Sequence, residues 1–250
     1  MFEEAFDEIV VGAGSAGCVL AARRSEDAAN RVLLLESGTD YRADACPPEM
    51  HSANPLGIND PARFPDVCWP GLTRRRTERQ PSRRYDRGKG PGGSSAINYQ
   101  VAFRGAPDDY DGSAADGSTG WAWADVLPYF RRLEDDEDHG DAPWHGRGGP
   151  VPVERLPVSA WGPVDLALLE AALDDGHPWS ADHNAPGPGG VGPYAANRRG
   201  NRRVSAASAY LEPARGRPNL TVVGDAHVDT VLLDGRRVRG VRVFAGGAWR

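Results

Sequence analysis

The sequence predicts an α/β fold that opens with a βαβ unit, and three stretches of the chain predict it. Phe6 to Val11 (FDEIVV) is a short apolar run rich in β-branched residues, the composition of a buried strand. GAGSAG follows, with Gly12, Gly14 and Gly17 at GxGxxG spacing. Arg31 to Glu36 (RVLLLE) is a second buried-strand run and ends in an acid. Between the two runs, CVLAARRSED carries Ala and Leu on one side and reads as a helix, broken at Asn30.

The glycine spacing has a physical reading. Gly12 permits the tight turn, Gly14 has no Cβ and lets a pyrophosphate lie against the backbone, and Gly17 lets the helix pack close to the strand. The helix N-terminus offers free N–H groups and a partial positive charge. Glu36 lies 19 residues after Gly17 and places a carboxylate where ribose hydroxyls can donate to it, and where it repels a 2′-phosphate. Dinucleotide binding is the expectation, a ligand-free glycine turn the alternative. The unit by itself does not separate NAD from FAD. Cys18, at the start of the helix, reads as a small packing residue rather than a thiol activated by the helix end.

Composition removes several classes. Of 250 residues, 40% are hydrophobic and 26% charged, ordinary values for a soluble globular protein, which excludes disordered and fibrous classes. The net charge of −6 argues against nucleic acid as the main partner. The cysteines, Cys18, Cys46 and Cys68, are odd in number and form no CxxC, so a reducing compartment is expected. The opening MFEEAFDE is acidic where a signal peptide needs positive charge. The uncharged stretch Ile9 to Ala22 has 14 residues, three of them glycine, and is too short to span a bilayer. The expectation is a soluble, cytoplasmic chain with no membrane span.

A second glycine-rich stretch, residues 87–105, reads RGKGPGGSSAINYQVAFRG. Its backbone N–H groups and hydroxyls suit a second anion or ring contact. Here the sequence resembles the glucose–methanol–choline (GMC) oxidoreductases. The resemblance rests on GAGSAG with RVLLLESG, RGKGPGGSSAIN, FRGAPDDYD, GWAWADVLPYFRRLED and HGRGGPVPV, in that order. It continues from LEAALDDGHPWSADHNAPGPGGVGPY to GNRRVSAASAYLEPARGRPNLTVV and so covers nearly the whole chain.

The resemblance implies an FAD-binding Rossmann-like domain of the glutathione-reductase type with part of an α+β substrate domain, incomplete at the C-terminus. It implies FAD rather than NAD. The pyrophosphate and adenosine ribose contacts fall to Gly12, Gly14, Ser15, Ala16, Gly17 and Glu36, and the flavin-loop contacts to Gly90, Ser94, Asn98, Tyr99, Gln100 and Val101. Val228, in DAHVDTVLL, falls where the family holds adenine by its backbone. Three departures stand out. Gly90 and Pro91 replace two aliphatic residues, and Pro91 removes an N–H and fixes φ. Tyr99 and Gln100 replace a smaller pair. Ile97 stands where some members carry a histidine bonded to the cofactor, which implies non-covalent FAD.

The implied activity is oxidation of a CH–OH group, with hydride passing from a small-molecule alcohol to flavin N5. The family's catalytic histidine and its His or Asn partner would follow residue 250, so the chain is expected to carry the FAD cradle with no catalytic residue, to bind FAD weakly and to be inactive alone. A truncated non-catalytic FAD-binding remnant and a lyase of the same family are the alternatives. The alcohol, the electron acceptor and the oligomeric state are not legible. The expected organisation is 1–105 for the first part of the FAD domain, 106–215 for the start of the substrate domain with its connecting loops, and 216–250 for strands returning to the FAD domain. No internal repeat is present.

The remaining features take ordinary readings. Val228–Leu233, the turn Asp234–Gly235 and Val238–Phe244 read as a hairpin. Val164 to Asp175 reads as a helix with Pro163 before it and Gly176 after it. None of the six histidines is expected to bind metal; His183, near Asp182 and Asp175, reads as a loop residue. The basic run 74–89 reads as a solvated loop, and the acidic run Glu134 to Asp138 as a solvated helix end. Trp121, Trp123, Tyr129 and Phe130 read as packing residues rather than a cage for a cationic alcohol.

Overall fold

The structure, a computed structural model, describes residues 5–42, 45–54, 56–58, 63–187 and 189–250. Residues 1–4 of the acidic opening lie outside the described residues. In chain order the principal elements are β1 (Glu8–Val11), α1 (Ser15–Arg24), β2 (Val32–Leu35), α2 (Pro107–Ala115), α3 (Trp123–Leu133), β3 (Glu134–Asp136), β4 (Val151–Arg155), α4 (Pro163–Asp174), β5 (Ala195–Ala196), β6 (Leu220–Val223), β7 (Ala226–Asp234), β8 (Arg237–Ala245) and β9 (Ala248–Trp249). The chain forms two compact units, Met1–Tyr99 with Arg203–Arg250, and Gln100–Arg202.

The first unit is built on a parallel sheet of order β1-β2-β6. β1 aligns Glu8 with Val32 and Val11 with Leu35, and β6 aligns Leu220 with Val32 on the other side. All four residues of β2 are buried, the reason its sequence VLLL shows no alternation. Leu33 and Leu35 share one face and pack with Ala226, Val243 and Ala245 of the β7–β8 hairpin. The crossover α1 buries Cys18, Ala21 and Ala22. The expected strand–turn–helix–strand opening is therefore present. The hairpin is present too, but its two loop residues are Gly235 and Arg236, because Asp234 still pairs with Arg237; Gly235 takes the left-handed φ of +59°.

The second unit carries a three-stranded sheet, β3-β4-β5, with β3 parallel and β5 antiparallel to β4. Its helices start in one way. Asp109, Asp125 and Asp165, each in a first turn, accept the backbone N–H of Ala106, Ala122 and Gly162 at 2.7, 3.2 and 3.2 Å. Tyr110, Trp123 and Phe130 pack with ring centroids 5.6–6.3 Å apart, whereas Trp121 and Tyr129 are exposed.

The acidic run corrects the sequence reading. Glu134–Asp136 is a strand, not a solvated helix end, and Glu134 and Asp136 are buried. Burial is possible because cations meet them. Arg104 Nη2 and His145 Nδ1 share Glu134 Oε1 at 2.9 and 2.8 Å, and Arg155 Nη1 reaches Asp136 at 3.0 Å. His145 Nε2 reaches Asp182 at 2.8 Å, and Arg155 Nη2 closes the ring to Asp182, also at 2.8 Å. Burial pulls the His145 pKa down, but the hydrogen bonds to Asp182 and Glu134 outweigh it and hold the imidazolium up to about 9. For Asp182, burial pushes the other way, and the bond to His145 leads the contacts that hold it well below the usual carboxylate range. Three carboxylates thus face three cations. Atoms of Glu134, Asp136 and His145 lie within 4.8 Å of one another, a spacing a metal ion could use, but Arg104 and Arg155 already hold these carboxylates.

Candidate functional site

The GAGSAG turn behaves as its glycines require. Gly12 has φ +90° and donates its N–H to Leu35 O at 2.7 Å, which closes the turn on the end of β2. A Cβ placed on Gly17 would lie 1.8 Å from Gly12 O, so any side chain there pushes α1 off the turn. A Cβ on Gly14 would meet nothing within 4 Å, leaving open space in front of the backbone at the mouth of α1. Gly14 is also the N-cap of α1, and no side chain caps it. The first-turn amides of Ser15, Ala16 and Gly17 therefore open the helix without a side-chain acceptor among the described residues. Cys18, one residue further in, donates to Ala13 O at 3.1 Å, and burial pushes its thiol up to about 11. It is a packing residue.

The second glycine-rich stretch folds onto the first. Gly90, Gly92 and Gly93 take φ values of +99°, +87° and +50°, a left-handed run that side chains rarely permit. Gly92 N donates to Ala13 O at 2.8 Å, and a Cβ on Gly93 would sit 2.8 Å from Gly14 Cα. Residues 93–96 then form a 3-10 turn, in which Ser94 Oγ accepts from Gly88 N at 3.2 Å. The two loops border a cleft of about 540 Å³ lined by Gly14, Ser15, Gly93 and Ser94, with Trp69 and Arg87 among its other walls.

Glu36 ties this arrangement together. It is buried, and its carboxylate accepts Ala13 N at 2.7 Å on Oε2, and Gly38 N at 2.8 Å and Gly90 N at 2.9 Å on Oε1. A carboxylate offers about four acceptor positions. Three are taken by backbone amides, two on Oε1 and one on Oε2.

The other expected contacts are spread more widely. Asn98 and Tyr99 are exposed at the end of the first segment of this unit. Val228 lies in β7 opposite Val243 and packs on the Leu33–Leu35 face. Gln100 and Val101 belong to the second unit. Gln100 is buried with φ +62°, unusual for a residue with a side chain, and its carbonyl accepts Asn197 N at 2.8 Å. Val101 is exposed and bridges Ala196. Ile97 is buried in a core with Met50, Ile58, Val67 and Cys68. The second unit also holds a cavity of about 350 Å³ between Leu156, Trp161, Leu168 and Tyr194.

Sequence reading missed one residue that touches the second loop. Arg203 is 2% exposed; its Nη1 donates to Ser95 O at 3.2 Å and Asn98 Oδ1 at 3.0 Å. Next to it, Ala206 N donates to Ser95 Oγ at 3.0 Å. An arginine in a run of small residues was the available signal.

A parallel sheet with a glycine-fronted helix and an acid closing the second strand is the arrangement general to dinucleotide-binding α/β folds. Residues 6–248 match the family model described as GMC oxidoreductase, and the chain belongs to that family. It is 39% identical to the 5-(hydroxymethyl)furfural oxidase of Methylovorus sp. (strain MP688), an alignment covering 98% of this chain and 47% of the relative. It is 41% identical to the oxygen-dependent choline dehydrogenase of Ectopseudomonas mendocina (strain ymp), over 97% of this chain and 42% of the relative. Among solved structures it is similar to pyridoxine 4-oxidase from Mesorbium loti, at 34% identity and TM-score 0.86, over 98% of this chain and 47% of that one. The chain thus spans less than half the length of these relatives. Among the described residues, no helix is long and apolar enough to cross a membrane.

Proposed function

We propose that this chain forms the FAD cradle of an oxidoreductase that takes hydride from the CH–OH group of a small alcohol. One observation carries the reading: Gly93 of the second glycine-rich loop stands against Gly14 of the first, at the open, uncapped start of α1. The relatives named as oxidising hydroxymethylfurfural, choline and pyridoxine support the reaction class. Cytoplasmic placement is part of the proposal, supported by the free thiols of Cys18, Cys46 and Cys68.

The residues divide the work. The α1 amides from Ser15 to Gly17 hold the diphosphate, where the N-terminal dipole and open hydrogen-bond donors favour an anion. Glu36 keeps one acceptor for the ribose while bracing both loops. Gly90, Ser94, Asn98, Tyr99, Gln100 and Val101 form the loop that meets the isoalloxazine, and Val228 the adenine contact. Isoleucine at 97, buried in the core, offers no ring nitrogen for a bond to the cofactor, which supports non-covalent attachment. FAD, when bound, supplies the two-electron acceptor. No residue of this chain is assigned as the base that takes the hydroxyl proton.

Titration of the purified 250-residue chain with FAD tests the proposal. The expected result is a rise in melting temperature with FAD concentration, as mass action requires of a ligand that binds the folded state. NAD is expected to give none. A melting temperature indifferent to FAD, or raised equally by NAD, rejects it.

A further inference from the structure

Arg203 is out of place by ordinary rules. It is almost wholly buried, yet it makes no ion pair among the described residues. Its Nη1 holds two neutral oxygens, Ser95 O and Asn98 Oδ1, while its Nε and Nη2 have no hydrogen-bond partner among the described residues. Burial alone lowers its pKa to about 10. A buried cation with no counter-charge is a cost to the fold, so stability does not account for an arginine here. Its location does. Both of its acceptors belong to the turn at 93–98, and the backbone after it braces the same turn: Ala206 N bonds Ser95 Oγ, and Ser205 packs against Gly92.

We propose that Arg203 is a positioning residue for the second glycine-rich loop, fixing the turn from Ser94 to Asn98 in the shape that receives the cofactor by holding the Ser95 carbonyl and the Asn98 side chain. The inference rests on the FAD reading above and names a residue outside the set that touches the cofactor in that reading. Guanidinium suits this task because its planar fork fixes the direction of two acceptors at once, which a lysine ammonium does not.

The test uses the 250-residue chain as wild type, Arg203→Met, Arg203→Lys, Asn98→Ala and the double variant Arg203→Met/Asn98→Ala. FAD affinity is measured by equilibrium dialysis and the urea midpoint without FAD by circular dichroism. Arg203→Met is expected to weaken FAD binding about tenfold or more while the FAD-free midpoint stays the same or rises. Arg203→Lys is expected to recover part of the affinity. The double variant is expected to lose less affinity than the two single losses combined, because Arg203 acts in part through Asn98. If Arg203→Met does not fold, Arg203→Lys decides by the same comparison. Wild-type affinity in the arginine variants, additive losses in the double variant, or failure of both arginine variants to fold overturns the inference and leaves the FAD reading standing. Absence of FAD binding by the wild type overturns both.

Discussion

The Gly90 amide, in the second glycine-rich segment, donates to Glu36 Oε1 at 2.9 Å, joining two residues 54 positions apart. With Ala13 N and Gly38 N on the same carboxylate, one acid holds three backbone groups that would otherwise lack an acceptor. One carboxylate thus ties together the first glycine turn, the segment after β2 and the second glycine-rich loop.

Glu36→Ala is therefore expected to destabilise the FAD-free chain by on the order of 3–5 kcal/mol, since it strips a charged acceptor from three amides. Urea unfolding without FAD measures this. An unchanged midpoint would mean that the acid serves the ligand only.

The two glycines of the turn separate folding from binding. Gly17→Ala drives a Cβ into Gly12 O and is expected to cost about 2–4 kcal/mol. A Cβ on Gly14 meets open space, so the FAD-free midpoint of Gly14→Ala should stay within about 0.5–1 kcal/mol of wild type while FAD binding is weakened. Parallel urea and dialysis measurements distinguish them; equal loss of stability in both would contradict the geometry.

The buried ring around His145 sets a pH dependence. Its pKa is raised from 6.5 to about 9, so the stabilisation is fully present below the unfolded value and is lost as pH rises through the folded one. Stability is expected to fall between about pH 6.5 and about pH 10 by at most about 1.4 kcal/mol per pH unit. His145→Ala should remove that slope and cost on the order of 3–5 kcal/mol, leaving Glu134, Asp136 and Asp182 short of a cation. Urea midpoints across the range check both, and an identical slope in the variant would assign the effect elsewhere.

Ile97 predicts the fate of the cofactor on denaturation. Acid precipitation of the FAD-loaded chain should leave all flavin in the supernatant. Flavin retained in the pellet would show a covalent bond and contradict non-covalent binding.

What the sequence made legible was local. The βαβ opening and the β7–β8 hairpin are written in patterns of a few residues, where strand period, turn glycines and helix composition act on neighbours. What it hid was contact at a distance. The bracing role of Glu36 is hidden because its partner Gly90 lies 54 positions on, and Arg203 shows no role because Ser95 and Asn98 lie 108 and 105 positions upstream. Glu134–Asp136 reads as solvent-facing because charge predicts exposure until the chain brings Arg104, His145 and Arg155 against it.

The central claim is that α1 and its glycine turn hold the dinucleotide diphosphate. A crystal structure of the chain grown with FAD tests it most directly. Diphosphate density is expected against the amides of Ser15 and Ala16, with the ribose at Glu36. Diphosphate density anywhere else on the protein would contradict it.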